Sequence, residues 1–249
     1  MSTAPGELRA PAYRTVAESL RKRILDRSLR DGDRLPGELE LARQFGVNRS
    51  TVREALRDLQ TSGLVARRPG SKRFAVVRPA PGFVAEGVSR ALALHEVTYF
   101  DLWESLTILE PPIAEAAARR RTAATVQPIL AAAQRFAADH ADTARAVHHV
   151  TDFFRAVGAA TGNHVLMLAQ EPLLALLDPS LVSMIDRVPQ ARARIGAAQR
   201  RLCTALAAGD AADARVWMAR HIRDFRRGYE LAGIALESPC AATPTAARR

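Results

Sequence analysis

The chain has 249 residues, enough for two domains that each bury a hydrophobic core. Its formal net charge is +10, and residues 1–78 hold 17 Lys/Arg against 9 Asp/Glu, so the positive excess lies mainly in the first third, as expected of a surface that faces a polyanion. The two cysteines exclude a disulfide framework or a zinc knuckle, and apolar runs of ~20 residues, which a membrane span requires, are missing.

Residues 1–12 are rich in Pro, Ala and Gly and lack the apolar core of a signal peptide, which predicts a disordered start to a soluble, cytoplasmic protein. Apolar residues at helical spacing predict a first helix over 15–27. Residues 30–37 contain Asp, Gly and Pro and predict a loop. A short second helix over 38–45 is expected to end at Gly46, which suits left-handed backbone.

The segment FGVNRSTVREALRDL, residues 45–59, predicts a tight turn followed by a helix with two dissimilar faces that runs from Arg49 to about Thr61. The apolar residues are spaced to form one buried stripe: Val52, Ala55, Leu56 and Leu59. The opposite face begins with short polar and arginine side chains, which suit a helix that enters the major groove of DNA: Asn48, Arg49, Ser50, Thr51 and Arg53. Asn48 or Ser50 is the expected N-cap.

Two β-prone arms, 64–68 and 73–77, flank the turn Pro69-Gly70-Ser71-Lys72 and predict a small basic hairpin. Three helices followed by such a hairpin make a winged helix-turn-helix domain, which we assign to residues 13–78. The hairpin tip is then placed to reach phosphates or an adjacent groove. A solvated basic turn is the alternative interpretation.

The sequence RPAPG at 78–82 breaks the periodicity and predicts a linker, assigned to residues 79–87. Residues 88–235 are assigned to an all-helical effector-binding and dimerisation domain, and 236–249 to a disordered tail. Glu110-Pro111-Pro112 is expected to kink or split the second helix of this half. The predicted helical segments are 83–94, 98–121, 125–139, 146–161, 164–177, 181–187, 190–208 and 211–234.

The segment GDRLPGELELARQFGVNRSTVREALRDLQTSGLV resembles the winged helix of the GntR family of bacterial transcription regulators. The resemblance implies DNA contacts by six residues: Arg34, Arg49, Ser50, Thr51, Arg53 and Gly70. Asn48 and Lys72 join them as predicted contacts from their places at the helix start and in the hairpin. Lys72 stands where the family usually has a second glycine, so the wing departs from the pattern. We expect Arg49 and Arg53 to read bases, and Ser50, Thr51 and Arg34 to contact phosphates.

The helical half resembles the FadR-type effector domain known as FCD, on the segments DLWESLTILEPPIAEAAA, FFRAVGAATGN and LAAGDAADARVWMARHI. Together the two resemblances span about residues 13–234. They imply a mostly α fold, with a winged helix-turn-helix followed by a helical bundle. They also imply a homodimer that binds a double-stranded DNA operator and that a small-molecule effector controls, with repression as the default expectation.

Most FCD domains hold a divalent metal through one Asp and three His. The matching positions here are Val150, Phe154, Gln199 and His221, of which only His221 can ligate, so we expect no metal and no cofactor. Leu106 stands where the family often has an Arg. The five residues predict an effector pocket with apolar walls and two polar anchors, suited to a hydrophobic effector such as a lipid-like, acyl or aromatic compound.

Several alternatives stay open from the sequence. One is a metal-dependent, carboxylate-sensing regulator, for which His148, His149 and Asp152 offer a shifted metal site. Others are a cavity filled by its own side chains and an architectural DNA-binding protein without an effector. Catalysis is not expected, because both lysines (Lys22 and Lys72) lie in the DNA-binding third and the helical half lacks a Gly-rich phosphate loop and a GxSxG motif.

Overall fold

The computed structural model describes residues 11–68, 70–139 and 142–240, which form two compact units that divide between residues 83 and 84. Helices dominate both units, and a two-stranded hairpin follows the first three helices. The predicted fold class is confirmed. The elements of the first unit are α1 (Ala12–Leu25), α2 (Glu38–Phe45), α3 (Arg49–Thr61), β1 (Val65–Arg67) and β2 (Phe74–Val76).

The core of the first unit forms around the predicted apolar stripe of α3. Val52, Ala55, Leu56 and Leu59 are all buried, and they pack with apolar residues of α1, α2 and the hairpin. Gly46 ends α2 in left-handed backbone, at φ 63°, which glycine adopts without the steric cost of a Cβ. The buried stripe therefore leaves the polar start of α3 on the outside of the unit.

The hairpin is antiparallel, with Val65 opposite Val76 and Arg67 opposite Phe74. The loop before α2 pairs with β2, the second strand of the hairpin. The Leu35 N–H donates to the Phe74 carbonyl at 2.9 Å, and Arg34 lies opposite Ala75. These backbone bonds hold the loop against the hairpin.

In the described residues of the second unit, which begins within α4, the regular elements are all helices, and an isolated β-bridge joins Thr98 to Pro239. Its principal core joins residues of α5 to α10. The helices from α4 onward are α4 (Pro81–Leu94), α5 (Tyr99–Arg119), α6 (Ala123–Ala138), α7 (Thr143–Ala160), α8 (His164–Arg187), α9 (Ala191–Ala208) and α10 (Ala211–Leu231).

The linker assigned to residues 79–87 is largely helical, which corrects that prediction. Pro81 is the first residue of α4. A proline is favoured at this position because its fixed φ suits a helix and its missing N–H would have no intrahelical partner. The sequence RPAPG therefore begins a helix as well as interrupting the previous pattern.

The predicted break between residues 177 and 181 does not occur, because α8 is one helix that contains both Pro172 and Pro179. Ser180 Oγ donates to the Leu177 carbonyl at 2.7 Å, and the same oxygen lies 2.7 Å from the Tyr229 hydroxyl. This buried contact and the burial of neighbouring leucines offset the cost of an internal proline. Pro111 and Pro112 likewise do not split α5.

By length and composition, α8 alone among the described helices is apolar enough to cross a membrane. Its packing is that of a core helix, since Leu174, Leu177 and Leu181 are buried in the second unit.

Residues 236–240 of the predicted disordered tail are packed on the second unit, which corrects that part of the prediction. Leu236 is buried, its carbonyl accepts from the Phe100 N–H at 2.8 Å, and the Cys240 N–H donates to the Val97 carbonyl at 2.7 Å. Residues 236–240 thus cover the start of α5 through backbone hydrogen bonds. Residues 241–249 of the predicted tail and residues 1–10 of the predicted disordered start lie outside the described residues.

Candidate functional site

In the first unit, α2, α3 and the hairpin border an open groove of about 930 Å³. The described residues that line it include one acidic residue, Glu38 at the start of α2. The basic residues that line it are Arg49, Arg53, Arg57, Arg67, Lys72 and Arg73. Six cations along one concave surface give the positive potential that attracts a polyanion.

The Glu38 carboxylate lies among three of these cations. Arg53 Nε donates to Glu38 Oε2 at 2.7 Å, and Arg49 Nη2 lies 3.5 Å from the same oxygen. Arg67 Nη2 lies 3.9 Å from Glu38 Oε1. The hydrogen bond from Arg53 is the main reason why the pKa of the Glu38 carboxyl is lowered, so this residue is a fixed negative charge.

The start of α3 is held by Asn48. Its Oδ1 accepts from the Thr51 N–H at 2.8 Å and from Ser50 Oγ at 2.7 Å. Asn48, rather than Ser50, is therefore the N-cap, and its side-chain oxygen is used within the helix. Arg49 and Arg53 retain exposed side chains, with 58% and 55% of their surface accessible.

Arg34 is exposed and lies beside β2 through the backbone pairing of its loop. Gly70 occupies the hairpin turn at φ 76°, in the left-handed region that favours glycine. Lys72 lines the groove on the hairpin side, and the Arg67 guanidinium lies 4.6 Å from the centre of the Phe74 ring. The structure thus assembles Arg49, Arg53 and Lys72 on one groove, with Arg34 and Gly70 on adjoining backbone.

The second unit buries all five residues predicted for an effector pocket. Leu106 lies on α5, Val150 and Phe154 on α7, Gln199 on α9 and His221 on α10, and each is at most 1% exposed. The Phe154 ring stacks on the His221 imidazole with ring centres 5.6 Å apart, and Phe225 meets that imidazole edge-on at 4.7 Å. Phe154 and His221 are thus brought into direct contact.

His221 and Gln199 bury polar atoms that have no hydrogen-bond partner among the described residues. These atoms are Nδ1 and Nε2 of His221, and Oε1 and Nε2 of Gln199. Burial lowers the pKa of His221 to about 4, so its imidazole is neutral at physiological pH. A neutral imidazole offers one donor and one acceptor, and an amide offers both as well.

These residues do not fit a metal ion at the place where the FCD resemblance implies one. Val150 and Phe154 supply only buried apolar surface there, and no group of three or more His, Cys, Asp or Glu suited to a metal occurs among the described residues. The alternative metal site of His148, His149 and Asp152 is not assembled either. His148 Nε2 lies 3.5 Å from Asp152, whereas His149 Nε2 lies 3.7 Å from Asp139.

One buried acid in the second unit was not singled out from the sequence. Glu110 is fully buried on α5, and Gln170 Nε2 donates to its carboxyl oxygens at 3.0 and 2.9 Å and to the Phe154 carbonyl at 3.2 Å. Burial raises the pKa of Glu110 to about 8. Gly158 makes room for this contact, since a Cβ there would collide with Gln170 Oε1.

Glu38 and Arg57 were also not identified from the sequence as groove residues. A glutamate in the first turn of a helix is ordinary, because it complements the helix dipole, and so gives no signal of a cross-element ion pair. Arg57 follows Arg53 by four residues and therefore lies on the same face of α3, a spacing from which it could have been found.

Comparisons with known proteins match both units. The family model described as "Bacterial regulatory proteins, gntR family" matches residues 12–74, and the FCD domain model matches residues 101–224. An HTH-type transcriptional regulator of Mycobacterium tuberculosis, Rv0494, is 34% identical over 157 residues, which cover 61% of this chain and 63% of that protein, just under two thirds of its length.

A protein of Escherichia coli K12 that bears a provisional name as an L-lactate dehydrogenase operon regulatory protein is 27% identical over 221 residues, covering 83% of this chain and 82% of its own. Among solved structures, a GntR protein of Streptococcus agalactiae is 26% identical with a TM-score of 0.62, covering 86% of this chain and 99% of that one. These similarities extend through both units.

Proposed function

The chain belongs to the GntR family of transcription regulators and has an FCD effector domain, and from that premise we propose that it is a homodimeric repressor released by a hydrophobic metabolite. DNA binding and metabolite control are properties of the family. The repressor role, the homodimer, the class of metabolite and the cytoplasmic location are our proposals. An enzymatic function is not part of this family assignment.

For DNA recognition, we propose that the two copies place α3 in successive major grooves of a near-palindromic operator. The exposed guanidinium groups of Arg49 and Arg53 support a role in base readout, since guanidinium pairs bidentately with guanine O6 and N7. Ser50, Thr51 and Arg34 are proposed to contact phosphates, with Asn48 shaping the helix start. Gly70 and Lys72 are proposed to meet the backbone from the hairpin.

For effector binding, the observation on which the proposal depends is the set of unpartnered buried atoms on His221 and Gln199. Leaving such an atom unpaired costs about 1–3 kcal/mol, so a ligand that pairs with these atoms gains free energy that is absent in the unbound protein. Leu106, Val150 and Phe154 supply apolar surface for the rest of the ligand.

The chemistry of the two anchors favours an effector with an uncharged polar group. His221 is neutral, and neither the imidazole nor the Gln199 amide offers a positive charge to balance a carboxylate. We therefore propose a lipid-like, acyl or aromatic metabolite that binds without a metal. Its binding would alter the population of DNA-competent arrangements of the two winged helices.

The test is a thermal-shift and calorimetric screen of the full chain with uncharged fatty-acid methyl esters and aromatic amides, and with fatty acids, acyl-CoA and small dicarboxylates as charged comparisons, each with and without EDTA. The proposal expects a hydrophobic compound to raise the melting temperature equally with and without EDTA. Tight binding of a dicarboxylate that EDTA abolishes would instead indicate metal-dependent sensing. Sedimentation of the same samples measures the oligomeric state.

A further inference from the structure

The Glu38 carboxylate lies in a groove that the proposed function assigns to DNA, which is itself a polyanion. A fixed negative charge there weakens the attraction of the groove for any phosphate backbone. Glu38 is only partly shielded, since 21% of its side-chain surface is accessible. Its presence in the groove therefore needs a reason other than general affinity for nucleic acid.

The contacts of Glu38 suggest that reason, because they join three separate segments of the first unit. Glu38 is the first residue of α2. Its carboxylate lies 2.7 Å from Arg53 Nε and 3.5 Å from Arg49 Nη2, both on α3. On the hairpin side it meets Arg67, whose guanidinium also lies over the Phe74 ring. The Glu38 carboxylate thus lies within 4 Å of cationic groups from both α3 and β1.

An arginine that reads guanine must present two N–H groups in a fixed plane. A free arginine on a helix surface samples many rotamers, and most of them do not present this fork. A carboxylate that accepts from Nε of Arg53 restricts these rotamers and leaves the terminal Nη groups available to a base.

We propose that Glu38 is a positioning residue for sequence readout, which orients Arg49 and Arg53. The carboxylate lowers the general affinity for DNA and increases the discrimination between sequences. This inference rests on the proposed function of α3 as the recognition helix. It predicts opposite effects on two quantities: loss of the carboxylate weakens binding to the preferred sequence and strengthens binding to unrelated DNA.

Glu40 provides a matched control. It lies in the same first turn of α2, it is exposed, and no ion pair of its side chain occurs among the described residues. Glu40→Gln therefore makes the same change in net charge and in the interaction with the helix dipole as Glu38→Gln, without removing a contact to the groove arginines.

The experiment measures affinity by fluorescence anisotropy at one fixed salt concentration, with the full chain. The two probes are the duplex that the wild-type protein enriches from a random-sequence library and a scrambled duplex of equal length and composition. The proteins are wild type, Glu38→Gln, Glu38→Asp and Glu40→Gln, each with its melting temperature recorded.

We expect Glu38→Gln to bind the enriched duplex about 10-fold more weakly and the scrambled duplex as tightly as wild type or more tightly. Glu38→Asp keeps the charge but withdraws the carboxylate by one methylene, and it should also lose discrimination. Glu40→Gln should change both affinities by the same factor.

The inference is overturned if Glu38→Gln and Glu40→Gln strengthen binding to both probes alike, since Glu38 would then act through charge alone. It is also overturned if Glu38→Asp discriminates as well as wild type while Glu38→Gln does not. If the wild-type protein enriches no duplex, the proposed DNA recognition fails as well, and the two failures are thereby distinguished.

Discussion

Glu38 in the first unit and Glu110 in the second are the same side chain with opposite ionisation behaviour. Hydrogen bonding and ion pairing with Arg53 lower the pKa of Glu38, whereas burial with only an amide donor raises the pKa of Glu110 to about 8. The first unit keeps its charges at the surface, paired but accessible. The second unit removes Glu110 from water and so favours the neutral form of this carboxyl.

The same contrast applies to the basic groups. The groove arginines remain exposed and charged, while His221 is buried, stacked on Phe154 and neutral at physiological pH. The comparison supports the two proposals made above, that the groove binds a phosphate backbone and that the buried residues bind an uncharged ligand. Changing a single group in either unit tests this contrast.

The largest effect is expected from Glu110→Gln. The folded state holds a proton on Glu110 up to about pH 8, whereas the unfolded chain releases it near 4.5, so folding is most favoured at low pH and this contribution is lost as the pH rises. Between pH 5 and 8 the wild type should lose about 4 kcal/mol of unfolding free energy through this group. The glutamine variant should avoid that loss.

Urea unfolding of both proteins at pH 5 and pH 8 measures the difference. Glu104→Gln, an exposed change on the same helix, serves as the control and should track the wild type at both pH values. An advantage of Glu110→Gln that is the same at pH 5 and pH 8 would contradict the raised pKa. It would mean that the buried carboxyl has a further partner that stabilises its charged form.

The two carboxylates also show how far the sequence could be interpreted. The periodicity of Val52, Ala55, Leu56 and Leu59 predicted the buried face of α3, because a single helix determines that pattern locally. Arg49 and Arg53 followed as the opposite face of the same helix. The contact of Arg53 with Glu38 could not be predicted, since it depends on how α2 and α3 pack.

Prolines misled the sequence interpretation for two different reasons. Pro81 begins a helix, where its N–H would have had no intrahelical partner. Pro179 lies within a helix, where tertiary packing offsets the local cost of the missing N–H. The contact of Gln170 with Glu110 joins residues 60 positions apart, and neither residue type signals a buried pair. Local patterns predicted elements, while packing between elements determined the chemistry of the sites.

A smaller effect, on DNA binding, is expected from Arg53→Ala and Arg49→Ala. Each should cost about 1–3 kcal/mol of binding free energy on the enriched duplex if its guanidinium contacts a base. Arg90→Ala, which removes an exposed arginine of α4, is expected to stay within about 0.5 kcal/mol of wild type. Full affinity in both groove variants would show that neither residue reads the operator.

The smallest effect is expected from Gln199→Met, which removes two buried polar atoms without partners among the described residues and keeps a similar side-chain length. If those atoms are unpaired in the unbound protein, the variant should be more stable by about 1 kcal/mol and should lose its response to the effector. Gln127→Met, on the exposed face of α6, should change neither property. Urea unfolding and the ligand screen measure both. A Gln199→Met variant that is less stable than wild type and still responds to the effector would contradict this prediction. The amide would then have hydrogen-bond partners in the unbound protein and would stabilise the core instead of binding the ligand.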